Sequence, residues 1–510
     1  MRKPFCVLLT SLFVGGMVSF LAACNGVDEE TARGEVADTV LLDGKIWTAD
    51  EQNPAAEAVA IKADEIVAVG STSEIRKYVG SDTQVISLQG KRVVPGFQDS
   101  HSHFLAAASL LDPLTGRNPF EPVYSEYNEL TARFTRLLLG LSHHFVNWMG
   151  WTPLDILIIP PASPEQALSG IRFGMHELLK MGITTIFELG AHWEHYEAVS
   201  LLKERGELKL RCDLFLTPEH LDELVERGIT RHDGDEWLRI LGIKLYSDGW
   251  LGPRTASLRE PYADREFFWQ NDPEYSGILY FDQEEINNDV LKAHEAGLKI
   301  ATHAIGDKAS EVVLNAYENA LYHLPNPDHR HTLEHAQVLA PDLMKRIKKL
   351  GVICSIQLSF ATTDMHFAEK ALGSERMSHA YAWKTMLDEG IRCAGGSDFA
   401  VEVLSPLWGI QRIVTRQDLN GLPENGWYPD QCLSVEEALR LITIDSAYNS
   451  FEEDIKGSIE VGKLADLVVL SQDILEIPPN QIADTVVEMT MVGGEIAYIW
   501  PDSELWEEPL

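Results

Sequence analysis

The chain has 510 residues and carries 78 acidic against 42 basic side chains, a formal net charge of -36 at neutral pH. That balance excludes nucleic acid as a partner, since phosphate binding needs a basic face, and it suits a solvated, aggregation-resistant surface. Hydrophobic residues at 45% and charged residues at 24% exclude a disordered chain, and the length calls for one large domain with an accessory one.

Arg2 and Lys3 precede an apolar stretch from Phe5 to Phe20, followed by Leu21-Ala22-Ala23-Cys24. A basic start, an apolar run and small residues before a cleavage point mark a secretory signal. The cysteine placed directly after them resembles a bacterial lipobox. That resemblance implies a signal peptide over 1–23, lipidation of Cys24, a polar tether over 24–37 and an exported, membrane-anchored lipoprotein on the periplasmic or cell-surface side. No later segment offers the ~20 continuous apolar residues of a membrane span. The other cysteines, Cys6, Cys212, Cys354, Cys393 and Cys432, form no C-x-x-C pair, and Cys212, Cys354 and Cys393 read as core packing.

Short strands follow: Thr39–Leu42, Lys45–Thr48, Ala58–Ile61 and Glu65–Gly70, with Asp43-Gly44 as a hairpin signal between the first two. Ala465–Leu470 and Val486–Tyr498 give a matching β-rich end. The two ends predict one small β-sandwich from residues 38–94 and 457–500, bracketing a barrel over 95–456.

The middle alternates apolar strands with helical stretches, as an α/β (β/α)8 TIM-like barrel does. The eight candidate strands are Val93-Val94, Thr184–Glu188, Arg211–Leu216, Leu241–Tyr246, Lys299–His303, His331–His335, Val352–Gln357 and Arg392–Asp398. A helix is expected from Pro164 to Met181, with Gly182 ending it. The interval 104–161 is long for a loop, carries Trp148, Trp151, His143 and His144, and is expected to fold over the barrel mouth.

Barrel enzymes place their chemistry at the C-terminal ends of strands. His101 and His103 close the first, and residues two apart leave one side of a strand, so both rings can converge on one ion. Lys244 lies on the fourth, His303 closes the fifth, His335 the sixth and Asp398 the eighth. Burying such groups at the ends of apolar runs is costly unless they are paired. Around them, Asp99 is a candidate for orienting the histidine pair. Asp248 either contacts substrate or braces its loop, and Arg254 either binds a substrate carboxylate or makes a salt bridge. Glu334 points away from His335, and His294 reads as solvated surface.

With these residues in place the sequence resembles the amidohydrolase superfamily, in the branch that includes N-substituted formamide deformylases. The matching motifs are Pro95 to His103, Gly242 to Gly252, Thr302 to Asp307, Glu334 to Gln337, Gly395 to Asp398 and Gly462 to Val468. The resemblance implies a binuclear metal centre of two divalent ions, zinc by expectation. His101, His103 and Asp398 would hold one ion and His303 and His335 the other, with a carboxylated Lys244 bridging them. It implies hydrolysis of an amide, N-formyl or cyclic amide C–N bond in a small molecule, with Asp398 as general base and then acid. Ester or lactone hydrolysis, deamination, a non-hydrolytic use of the barrel and an inactive small-molecule-binding lipoprotein remain alternatives. Oligomeric state is not legible.

Overall fold

The computed structural model describes residues 36–109, 164–264, 272–418 and 420–505. Cys24 and the leader, the tether up to residue 35, and most of the interval 104–161, with its paired histidines and tryptophans, lie outside the described residues. No helix of the described residues is long and apolar enough to cross a membrane.

Eight parallel strands form the centre: Phe97–Ser102, Ile183–Ala191, Arg211–Leu216, Leu238–Tyr246, Lys299–Ala304, Thr332–His335, Ile353–Gln357 and Cys393–Gly396. Each pairs with its neighbour in sequence order, as right-handed βαβ connections require. The eighth strand returns to the first through Asp398 N donating to His101 O at 2.7 Å and His103 N donating to Phe399 O at 2.5 Å. The expected TIM-type barrel is therefore present. Alternation sorts its side chains: Phe187, Leu189, Phe215, Leu241 and Ala301 fill the interior, while Ile186, Leu214, Ile243, Leu245, Leu333 and Ile356 pack into the large surrounding core. The helix Pro164–Lys180 precedes the second strand, with Gly182 at φ 80° in the left-handed conformation that ends it.

Two sheets form the accessory part. One is built from Glu65–Gly70, Ala58–Lys62, Thr39–Leu42 and Gln84–Ser87. The other is built from Glu495–Ile499, Val487–Val492, Leu467–Leu470, Arg92–Pro95, Lys45–Trp47 and Ala55–Ala56. Leu41, Val59 and Ile86 of the first pack against Val93, Leu467, Val469 and Met489 of the second, which makes a β-sandwich drawn from both chain ends. The other face of the second sheet, with Val94, Val468, Leu470 and Val487, packs on the barrel's core. Burial on both faces explains why these strands read as continuous apolar runs rather than alternating ones.

Three expectations change. Val93-Val94 is not a barrel strand: Arg92–Pro95 pairs with Leu467–Leu470 in the sandwich, and the barrel's first strand starts just after it at Phe97. Asp43-Gly44 makes no hairpin. Thr39–Leu42 pairs with Ala58–Lys62 while Lys45–Trp47 pairs with Arg92–Pro95, so the turn carries the chain from one sheet to the other. His294 is buried, with Nδ1 2.9 Å from His331 Nε2 and Nε2 2.7 Å from Leu324 O.

Sandwich and barrel are joined by a buried ion pair. Arg211, on the third barrel strand, donates from Nε and a terminal nitrogen to both oxygens of Asp466, at 2.7 and 2.9 Å, and its guanidinium lies 4.5 Å from the Trp237 ring. Removing one partner strands a charge in the interior. Arg211→Ala is expected to lower unfolding free energy by about 3–5 kcal/mol in urea titrations; a loss within experimental error would deny the pair this role.

Candidate metal centre

Local backbone decides which side chains reach the C-terminal end of the barrel. His101 is on the first strand and fully buried, and His103 follows directly beyond that strand's end. Lys244, flanked by the outward Ile243 and Leu245, points inward by alternation, as does His303 two residues after Ala301. His335 breaks the alternation. Its φ is 75° and that of Ala336 is 47°, so the strand turns sharply and Glu334 and His335 both reach the site. Asp398 has φ 61°. Such conformations cost about 1–3 kcal/mol for non-glycine residues and persist only where surrounding contacts impose them. Gly396 permits the close approach of the eighth strand, because a Cβ there would stand 2.6 Å from His101 N.

Six predicted residues come together. Asp398 Oδ1 lies 3.2 Å from His103 Nε2 and 3.4 Å from His101 Nε2. His101 Nε2 is also 3.3 Å from Lys244 Nζ. The His335 ring centroid is 4.7 Å from that of His101 and 4.4 Å from that of His303. His335 Nδ1 sits 2.7 Å from Gln357 Oε1, which leaves Nε2 as the lone-pair nitrogen. Phe360 stacks on the His335 ring at 5.8 Å. His303 Nε2 lies 3.0 Å from Gly249 O and 3.3 Å from Asp248 Oδ1, which leaves Nδ1 for another partner.

Glu334 was expected to face away. Instead its Oε2 accepts from His101 Nδ1 at 2.6 Å. Burial drives His101 down to about 4, helped by the Lys244 ammonium, so the ring is neutral with its proton on Nδ1. Burial alone would raise Glu334, but His101 and Lys244 outweigh it and keep the carboxyl ionised. Burial lowers Lys244 to about 8, against the pull of Glu334 and Asp398. Burial opposes ionisation of Asp398 too, yet a hydrogen bond with His103 and the Lys244 charge hold it below the usual carboxylate range.

Asp99 steadies backbone rather than imidazole: it accepts from Ser397 N at 2.8 Å, Ser397 Oγ at 2.5 Å and His101 N at 3.2 Å. Asp248 is a brace. Its oxygens accept from the amides of Ser257, Ile305 and Gly306 at 2.8, 3.0 and 2.9 Å. Arg254 donates from Nε to Asp264 at 2.9 Å and from a terminal nitrogen to the carbonyls of Leu251 and Gly252 at 2.9 and 2.7 Å. This guanidinium holds its own loop, the salt bridge of the two alternatives the sequence left open.

Two contributors were overlooked. Gln357 closes the seventh strand as a polar end to an apolar run, the same signal that exposed the histidines. Glu188 closes the stretch Thr184–Glu188 in the same way; burial raises it to about 8, and it accepts from Leu105 N at 2.8 Å and Ala106 N at 3.2 Å. It thereby fixes the start of the helix Phe104–Ser109, directly after His103.

The donor chemistry fits a divalent metal. The ligand atoms of His101, His103 and Asp398 lie within 4.8 Å of one another, two imidazoles and a carboxylate of the kind first-row metals prefer. A closed parallel barrel with imidazoles, a carboxylate and a lysine at its C-terminal end defines a metal-dependent barrel hydrolase. The chain belongs to the amidohydrolase family, whose family model matches residues 129–498. It is thus a metal-dependent hydrolase of that family.

Among curated proteins it is similar to YtcJ of Bacillus subtilis, 29% identical over 89% of this chain and 98% of that protein. It is also similar to the N-substituted formamide deformylase of Arthrobacter pascens, 25% identical over 91% of this chain and 99% of the relative. Among solved structures, an uncharacterized metal-dependent hydrolase from Pyrococcus furiosus aligns with a TM-score of 0.68 at 25% identity, over 86% of this chain and 100% of that one.

Because Glu334 orients His101, Glu334→Ala is expected to weaken metal affinity about 10–100-fold with the fold intact, read by competition with a chromogenic chelator. Unchanged affinity would remove that role.

Proposed function

We propose that this protein hydrolyses an amide, N-formyl or cyclic amide bond in a small molecule with two divalent ions, zinc by preference. His101, His103 and Asp398 would hold one ion and His303 and His335 the other, with Lys244, as its carbamate, supplying a further oxygen donor. The observation that carries this reading is the single Asp398 oxygen placed within 3.4 Å of both His101 Nε2 and His103 Nε2 in a buried pocket. Divalent metal in such a site lowers the pKa of water toward ~7 and polarises a carbonyl oxygen.

The remaining work falls to the protein's own groups. Asp398, ionised and held by the barrel seam, accepts the proton of the attacking water and delivers it to the leaving nitrogen. Glu334 and Gln357 fix the tautomers of His101 and His335, so the opposite ring nitrogens present lone pairs. Lys244 needs its neutral amine to add to CO2, and burial brings that form within reach near neutral pH. The carbamate then supplies oxygen donors where an ammonium would repel cations.

A screen of N-formyl, N-acyl and cyclic amide compounds on metal-reconstituted protein, run in 18O-water, tests the reaction. Solvent oxygen is expected in the acyl product. Failure of every C–N substrate beside fast ester turnover would overturn the substrate class. Asp398→Asn is expected to cut kcat/KM by about 10²–10⁴-fold; wild-type turnover would refute the general-base role.

We further propose that the protein is exported and anchored through a lipid on Cys24. The support is the basic pair, the apolar run and the small residues ahead of that cysteine. Cys24→Ser is expected to move the protein from the membrane fraction to the soluble one; retention in the membrane would refute the anchor.

A further inference from the structure

A second set of metal-type donors sits at the same end of the barrel and shares no residue with the six described above. His192 directly follows the second strand, and Glu219 and His220 lie just beyond the third. Thr217 N donates to Ala191 O at 3.0 Å, which ties the two loops together. His192 Nδ1 is 3.3 Å from His220 Nε2 and 3.5 Å from Glu219 Oε1, and all three ligand atoms fall within 4.8 Å of one another.

Two ligands bound tetrahedrally at about 2.0–2.1 Å stand roughly 3.3–3.4 Å apart, so these spacings are those of a coordination edge. His192 Nδ1 carries at most one proton, so it cannot donate to the Glu219 oxygen and the His220 nitrogen at once, whereas a cation between the three would satisfy all of them. On the other side of the ring, Nε2 is buried with no hydrogen-bond partner. Burial also lowers the His220 pKa, which favours the neutral form that binds metals. Trp193, whose Nε1 donates to Glu223 at 2.6 Å, has its ring 6.1 Å from that of His220 and shields one side.

We propose that His192, Glu219 and His220 form a separate site for a zinc-class divalent cation, which clamps the loops after the second and third strands. Two imidazoles and one carboxylate suit zinc, nickel, cobalt or copper rather than magnesium or calcium. With three protein ligands, a fourth position is left to water.

The full chain is equilibrated with zinc chloride, cleared of loose metal and assayed for zinc per chain, beside Glu219→Ala and His220→Gln. Glu219 is exposed and His220 only partly buried, both on the short 3-10 turn Pro218–His220, so the fold is expected to survive, with circular dichroism as the check. Each variant is expected to lose one zinc equivalent or to bind it at least about 10-fold more weakly. Zinc content and affinity equal to the parent in both variants would overturn the site. The readout is a difference from the parent, so it stands whatever number of ions the six-residue centre holds. An anomalous zinc peak between His192 Nδ1 and His220 Nε2 is expected in crystals soaked in zinc chloride, and its absence there would likewise overturn the site.

Discussion

The barrel closes where its first and last strands meet, and the backbone that closes it belongs to the residues whose side chains form the site. Asp398 N bonds to His101 O, and His103 N bonds to Phe399 O. Opening this seam would separate Asp398 from both histidines at once, so fold integrity and donor geometry are one constraint. Asp99 reinforces it from the first strand by holding Ser397 on the eighth, and Gly396 admits the close contact between them. The left-handed backbone at Asp398 is tolerated because these bonds leave the chain no alternative path.

Electrostatics follow from that closure. The barrel interior removes His101, Lys244, Glu334, His335 and Asp398 from water almost completely. Carboxylates survive there as anions only because cationic or proton-donating neighbours face them, and the histidines are driven neutral. Two buried anions beside neutral imidazoles make a cavity that favours positive charge. Lys244 is the amine among them, lowered to about 8 by burial against the pull of Glu334 and Asp398.

Much of this was legible before any coordinates. Polar residues ending apolar runs identified the six donors, because that pattern is too costly to arise without a partner. The same rule covers Gln357 and Glu188, which escaped notice only because they lie outside the recognised motifs. Glu334 was misplaced for a different reason. Strict alternation sets it opposite His335, and alternation fails where φ turns positive at His335 and Ala336, a backbone choice with no glycine to announce it. Val93-Val94 was misassigned because two strands with only Gly96 between them, one in the sandwich and one in the barrel, read as a single apolar run. His294 looked solvated because a helical period shows which face it occupies but not that His331 and Leu324 O wait there.

The sandwich is more than an appendage to this arrangement. Asp466 takes the Arg211 guanidinium with its carboxylate, while its backbone carbonyl accepts from Gly96 N, the residue that passes the chain into the first barrel strand. Gly493 N also donates to the Asp466 carboxylate at 2.8 Å. One residue of the C-terminal sheet therefore fixes the entry of the strand that carries His101 and, through Arg211, the third strand. Because Phe97–Ser102 spans only six residues between that anchor and the metal-type donors, a shift at the sandwich would arrive at the site with little slack to absorb it. The chain's two ends meet in the sandwich because the first barrel strand needs a fixed starting point as much as a fixed end.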